Sequence, residues 1–321
     1  MTMWRGMGLQ IIGGSDVILG KPKVVKLVDP SVEFVREIRG KVGPDRLIVV
    51  RWRLAWQPLD APTQRGTLWV AQHAARMAAM AQYGPIAFEG YNEIADEQAE
   101  AYCSFEVARL REMRALGFPA VVGNFSVGTP REDVWPLYQP MLDAMRAGDC
   151  LGLHEYWTDA RDILNPWHVC RFALPDVAPY LKGIPIIITE CGRDRIEDHG
   201  MPESRWGYPG WKADPNLMAS QYMAELRQVG AKYATYTDVV GACVFTVGND
   251  PRWANYDVRE IWPYVVQLYD AEPVEPEPEP TGAWAVKSQL EDEFDGERWR
   301  FTVEKWEAHH DEPDGDCSVR V

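Results

Sequence analysis

No stretch of eighteen consecutive apolar residues occurs in this 321-residue chain. An apolar helix long enough to span a bilayer is therefore excluded, and no membrane partner is expected. None of the six cysteines, Cys103, Cys150, Cys170, Cys191, Cys243 and Cys317, forms a C-x-x-C pair. A disulfide framework or a thiolate metal site is not implied. Cys150, Cys191 and Cys243 sit in or beside apolar runs, where a thiol behaves as a small core residue. Free, buried thiols and a reducing compartment are expected. The chain also lacks an HExxH helix, a Walker loop and a dinucleotide fingerprint, and its histidines cluster only at His309-His310. Zinc-dependent and nucleotide-dependent chemistry is not indicated, and no cofactor or metal is expected. The first eight residues show no charged region followed by a long apolar one. The expectation is a chain that is cytoplasmic or released by lysis, as a phage product is, rather than exported by a signal peptide.

A basic face is missing too. Net charge is −15. Residues 271–321 hold 15 acidic and 5 basic side chains, a net of −10, which leaves −5 for the first 270. A mildly acidic body argues against a nucleic-acid partner. The acidic end reads as a solvating segment.

What the chain does have is alternation. Apolar, strand-like runs begin near Met7, Val24, Leu47, Ile86, Ala120, Leu151, Ile184 and Val240. Several are apolar throughout, as expected for strands covered on both faces. Seven are followed by a helical pattern: Val32–Ile38 with Ser31 as cap, then 68–83, 96–116, 133–147, 167–181 interrupted by Pro175 and Pro179, 216–233 and Val258–Tyr269. The loop after the first run is too short for a full helix. Eight alternating units over about 270 residues predict a (β/α)8 barrel of the TIM type. An open doubly wound sheet fits less well, because Gly13-Gly14 is a poor match to a phosphate loop and no helix opens there. The barrel is assigned to residues 1–270 and a Pro/Glu-rich linker to 271–282. Residues 283–321 read either as an acidic tail or as the start of a truncated accessory module, with Trp299, Phe301 and Val303 alternating like a strand.

In such a barrel, functional groups belong at the C-terminal ends of the strands. Reading those ends collects Gln10, Asp29, Arg51, Arg53, Asn92, Glu93, Asn124, His154, Tyr156, Glu190 and Phe245 or Thr246. The set is polar and aromatic, and Lys26 is the one lysine near it. Two runs each deliver a glutamate: Phe88-Glu-Gly-Tyr-Asn-Glu93 and Ile188-Thr-Glu-Cys-Gly192.

On these two motifs the chain resembles the retaining glycoside hydrolases of clan A, over roughly residues 4–270. Their acid/base glutamate follows an asparagine at the end of strand four, and their nucleophile ends strand seven. The resemblance implies Glu93 as acid/base and Glu190 as nucleophile, on a carbohydrate substrate. It implies Asn92 as the holder of the sugar 2-hydroxyl, and His154-Glu-Tyr156 matches a His-x-Tyr common at strand six. Glu190 must stay ionised, so Arg51 or Arg53, and Tyr156, are expected beside it. Glu93 is expected to have a raised pKa, from the neighbouring carboxylate and partial burial. Glu89 shares its face and reads as an interior partner of an arginine. Asn124 completes the expected substrate contacts on this side.

The chain departs from the family at strand eight, where a tryptophan platform is usual. Here Phe245 stands in its place, or Trp253 folds back from the following loop. The loop Arg193–Asp214, with Trp206 and Trp211, is read either as an aromatic wall beside the nucleophile or as a loop packed on its own aromatics. Two alternatives to a polysaccharide hydrolase stay open: a phage-type cell-wall lysin and a catalytically silent, carbohydrate-binding barrel. Nothing in the sequence sets the oligomeric state.

Overall fold

The structure, a computed structural model, describes residues 6–12, 22–194, 210–213, 217–261, 290–294 and 299–303. Eight parallel strands close into a barrel in sequence order: β1 (Met7–Ile12), β2 (Val24–Val28), β3 (Leu47–Arg51), β4 (Ile86–Glu89), β5 (Ala120–Phe125), β6 (Cys150–Trp157), β7 (Ile186–Arg193) and β8 (Val239–Gly248), with β8 pairing back to β1. Helices follow six of them: α1 (Val32–Val42), α2 (Pro62–Ala81), α3 (Ala99–Ala115), α4 (Gln139–Ala144), α5 (Ala178–Leu181) and α6 (Ala219–Ala234). The fold is the expected (β/α)8 barrel.

The outer layer is less regular than the sequence pattern suggested. Ser31 caps α1 as expected, its Oγ accepting from Phe34 N at 3.0 Å. Between β6 and β7 the expected helix is reduced to short 3-10 turns and the four-residue α5. Prolines at 175 and 179 remove backbone donors and restrict the residues before them. After β8 the chain makes 3-10 turns at Pro251–Tyr256 and Arg259–Ile261. The rest of the helix expected to Tyr269, the loop after β1 and the linker lie outside the described residues. Residues Val274–Val321 form a separate compact unit. In it β9 (Leu290–Phe294) pairs antiparallel with β10 (Trp299–Val303).

Strand alternation divides the core in two. One set of side chains faces outward under the helices, among them Val25, Leu27, Ile48, Val50, Phe88 and Ile188. The other fills the barrel: Val24, Val49, Ala87, Val121, Cys150, Ile187, Val240 and Cys243 form one apolar layer. The five cysteines among the described residues are buried and in no disulfide. Above that layer the inward positions turn polar, with Lys26 on β2, Arg51 on β3, Glu89 on β4 and His154 on β6.

A bulge sets the phase of β7. Leu153 pairs with Ile188 and His154 with Glu190, so β7 uses one residue more than β6. Thr189 is that extra residue. Ile188 and Cys191 both stay on the outward face, and Glu190 turns into the barrel beside His154.

Candidate active site

Glu190 sits at the centre of a charge cluster. Lys26 Nζ lies 2.9 Å from its Oε1, Arg51 Nη1 lies 3.1 Å from the same oxygen, and Tyr156 Oη donates to Oε2 at 2.9 Å. Lys26 also reaches Glu89 Oε2 at 3.0 Å. Two cations and two carboxylates thus balance in a region where an unpaired charge costs several kcal/mol. Burial works against the Glu190 charge and is the largest single influence on it. The charges of His154, Lys26 and Arg51 together outweigh it and hold the carboxyl well below the usual carboxylate range. Tyr156 moves the opposite way, its hydroxyl raised by burial and by the adjacent Glu190 charge.

One expectation changes here and one alternative is decided. The interior partner of Glu89 is Lys26, not an arginine. Arg51 neighbours Glu190, but Arg53 does not. Two residues further on and beyond the end of β3, Arg53 pairs with Asp29 at 2.5 Å and Asp250 at 3.1 Å on the rim.

Glu93 is built differently. It lies past the end of β4, with a positive φ of 53°. Its amide donates to the Asn124 carbonyl at 3.0 Å, and Asn124 also has a positive φ, 46°. Each such non-glycine residue costs on the order of 1 kcal/mol or more and persists where its surroundings hold it. Several neighbours do so. Asn124 Nδ2 donates to the Tyr91 carbonyl at 3.2 Å, and Tyr102 on α3 reaches the Tyr91 and Gly123 carbonyls at 3.2 and 2.8 Å. Gln57 clamps the backbone of Asn92 from both sides, at 2.5 and 2.9 Å. Gly152 leaves the space this needs, since a Cβ there would lie 2.2 Å from Asn124 Oδ1. Asn124 was expected to touch substrate. It is fully buried and instead shapes the Glu93 loop.

His154 joins the two carboxylates. Its Nδ1 is 2.7 Å from Glu93 Oε1 and 3.8 Å from Glu190 Oε2. Those two oxygens are therefore at most 6.5 Å apart, the sum of the two legs. The Glu93 side chain is 39% exposed and that of Glu190 8%. Burial raises the Glu93 carboxyl and Glu190 repels its charge. The hydrogen bond and charge of His154 outweigh both, so the carboxyl sits below its ordinary value. This runs against the expected upward shift: the contact with His154 favours the charged form of Glu93 more than burial and Glu190 disfavour it.

The aromatic residues divide. Phe245 is buried and meets Trp253 edge-on, with ring centroids 5.0 Å apart. Trp253 has folded back to the barrel mouth beside Tyr156 and Tyr256. Trp211, expected in a wall beside the nucleophile, is 3% exposed and stacks on Tyr222 of α6 at 5.0 Å. It packs the barrel's flank against α6. Trp206 lies outside the described residues. Among the described residues Asn92 Oδ1 is buried without a hydrogen-bond partner.

Sequence reasoning gave Lys26 and Gln57 no role. A lysine inside the five-residue apolar run Val24–Val28, on the inward phase, was a usable signal. Gln57 lies in a loop and carried none. Glu155, one residue out of phase with His154, faces the helix layer as expected. It accepts from Tyr233 Oη at 2.8 Å and from Cys170 N at 2.9 Å, and burial pushes its carboxyl up to about 7.

Comparison with solved structures finds matches at low identity. The catalytic domain of a mannanase from Streptomyces sp. SirexAA-E is 15% identical, with 74% of this chain and 70% of that chain covered and a TM-score of 0.40. A β-mannanase from Thermomonospora fusca in complex with mannohexaose is 12% identical over 79% and 82%, with a TM-score of 0.44. An endo-β-1,4-mannanase double mutant from Cellulomonas fimi is 14% identical over 84% and 71%, with a TM-score of 0.49. No family model matches the chain, and the comparison with curated proteins gives no match.

Proposed function

We propose that the protein is a retaining glycoside hydrolase of the clan A type, acting on O-glycosidic bonds of a polysaccharide or glycan. The observation that carries this reading is the pair of carboxylates bridged by His154, at most 6.5 Å apart between the bridged oxygens. Retention needs a separation of about 5–5.5 Å, whereas inversion needs roughly 6.5–9.5 Å to admit a water.

The environments assign the roles. Glu190 is ionised and backed by Lys26 and Arg51, as a nucleophile requires. Its carboxylate attacks the anomeric carbon as the bond to the leaving oxygen breaks. The proton held between His154 Nδ1 and Glu93 Oε1 passes through Glu93 to that oxygen. Water then enters, gives a proton back to Glu93, and displaces Glu190 from the sugar. Asn92 Oδ1 accepts the sugar 2-hydroxyl, a bond that strengthens in the transition state. Trp253 and Phe245 offer the apolar surface for a sugar face at the mouth. Tyr156 steers the nucleophile's second oxygen.

The test is a digest of a broad glycan panel. A substrate should be found, and Glu190→Gln should lower kcat/KM on it by about 10⁴-fold or more while the melting temperature stays near that of wild type. A wild type inert on every glycan, or a Glu190→Gln variant that keeps its rate, would refute the reading.

A further inference from the structure

The chain that carries Asn92 and Glu93 begins where β4 ends. β4 pairs with β3 from Ile86 to Phe88 and with β5 at Phe88 and Glu89. It closes at Glu89, so Asn92 and Glu93 lie beyond the strand ladder. Their backbone is held by other contacts.

On the β3 side Gln57 supplies them. Gln57 Oε1 accepts from the Asn92 amide at 2.5 Å, and Gln57 Nε2 donates to the Asn92 carbonyl at 2.9 Å. A primary carboxamide offers an acceptor and a donor side by side, the same pair that a neighbouring strand presents to a residue. On the β5 side the Glu93 amide donates to the Asn124 carbonyl at 3.0 Å. The peptide unit joining Asn92 to Glu93 is thus fixed at both ends, its oxygen by Gln57 and its nitrogen by Asn124. The orientation of that unit sets the φ of Glu93, 53°. A residue with a side chain disfavours this left-handed region. Rotation of the peptide unit would return φ to negative values and relieve the strain. It would also carry the Glu93 carboxyl away from His154 Nδ1, now 2.7 Å from it.

Gln57 is itself anchored on both sides. Upstream, the Arg53 amide donates to Asp29 at 2.7 Å, and its guanidinium does so at 2.5 Å. Downstream, Tyr91 Oη donates to the Pro58 carbonyl at 3.2 Å, and Leu59 packs against the core. The loop therefore holds the carboxamide still against Asn92.

We infer that Gln57 is a positioning residue of the active site: by pairing both backbone groups of Asn92 it locks the Asn92–Glu93 peptide unit and so keeps the Glu93 carboxyl on His154. Its effect on the loop follows from this geometry, and its effect on rate rests on the hydrolase reading. Gln57 acts through Asn92 and Glu93 rather than on the sugar.

Two variants of the full chain separate the legs of the lock. Gln57→Met keeps the length of the side chain and loses both hydrogen bonds. Gln57→Glu keeps the acceptor for the Asn92 amide and, when ionised, loses the donor to the Asn92 carbonyl. Thermal unfolding checks that each is folded. Amide hydrogen exchange of the native protein, read by NMR, is the first measurement. In Gln57→Met the Asn92 and Glu93 amides should exchange at least about tenfold faster, with Ile48 and Phe88 in the flanking strands unchanged. In Gln57→Glu the Asn92 amide should stay protected and the Glu93 amide should not. The second measurement is the Glu93 titration by carbon-detected NMR. It should move upward in Gln57→Met, because the contact with His154 that lowers it is loosened. The third is steady-state kinetics on a substrate from the glycan panel. In Gln57→Met kcat should fall about 10²-fold, as a small misplacement of a catalytic group can cause. KM should stay within about threefold. Glu93 exchange as in wild type in both variants, or a kcat that Gln57→Met leaves unchanged, overturns the assignment. So does a lower kcat with unmoved Glu93 exchange and titration, which would put Gln57 on the substrate, or equal loosening at Ile48 and Phe88. Faster Glu93 exchange with a shifted titration, in a wild type that cleaves no glycan, supports the lock and overturns the hydrolase reading instead.

Discussion

The two glutamates of this site are the same residue type in opposite settings. Glu190 lies within a strand, is 8% exposed, and faces a lysine, an arginine and a tyrosine. Glu93 lies in a loop, is 39% exposed, and has one side-chain partner among the described residues, His154. The first is held ionised by charges on three other strands. The second is held in place by backbone geometry and tuned by a single imidazole. The difference teaches that the barrel fixes the charge of Glu190 rigidly and leaves Glu93 adjustable by whatever touches His154.

Removing Lys26 attacks the rigid half and has the largest expected effect. Lys26→Met leaves Glu89 and Glu190 buried, with Arg51 and His154 as the remaining charge partners of Glu190. Stability should fall by about 3–5 kcal/mol, read by denaturant unfolding. A lowering influence on Glu190 is also lost, so its carboxyl titrates higher and the acidic limb of kcat/KM moves to higher pH. The rate at neutral pH should fall about 10²–10³-fold. An unmoved acidic limb would show that Lys26 is not what keeps Glu190 charged.

His154→Gln probes the adjustable half. The partner that lowers Glu93 disappears, while burial and Glu190 still push it up. The Glu93 carboxyl should then titrate higher than in wild type, followed by carbon-detected NMR of labelled glutamate. The rate should drop about 10²-fold. A Glu93 titration that stays put or falls contradicts the assignment of His154 as its proton partner.

Tyr156→Phe is milder, since Lys26 and Arg51 remain on the other oxygen of Glu190. A loss of about tenfold in kcat, with little change in stability, is expected from steady-state kinetics. A loss as large as that of Lys26→Met would mean that the hydroxyl, not the cations, dominates.

Glu155→Gln tests the contrast from outside, because Glu155 neighbours His154 in sequence but faces α6. Its folded value, about 7, is raised above the unfolded one. The native state therefore binds the extra proton between the ordinary carboxylate range and pH 7. Wild-type stability should decline across that window as pH rises, by on the order of 3 kcal/mol from this group. The variant should flatten the decline in unfolding curves taken at pH 5 and pH 8, with the rate changed less than by any substitution above. An equally steep decline in the variant assigns the effect to other groups.

The barrel was legible because apolar strand runs and helical periods alternate regularly over most of the chain. Glu93, Glu190, His154 and Tyr156 were legible as strand-end polar residues, and the structure brings these four together. Other features depended on information a single strand does not carry. Lys26 becomes important only when β2 faces β4 and β7 across the barrel. The bulge at Thr189, which gives Glu190 its phase, follows from pairing between strands. Arg53 and Trp211 looked equivalent to Arg51 and Trp253, yet each turns to a partner outside the site: Asp29 and Asp250 for one, Tyr222 for the other. Asn124 was placed at the right strand end with the wrong duty, because its left-handed backbone and full burial depend on how the β4 and β5 loops meet.

The account stands most directly on the stereochemistry of the first product. Proton NMR of a fresh digest, read at the anomeric position before mutarotation, reports it within minutes of mixing. Two carboxylates this close, with Glu190 held ionised by its charge partners, predict a product that keeps the configuration of the cleaved bond. A first product of inverted configuration would contradict the assignment of Glu190 as nucleophile and of Glu93 as its acid/base partner.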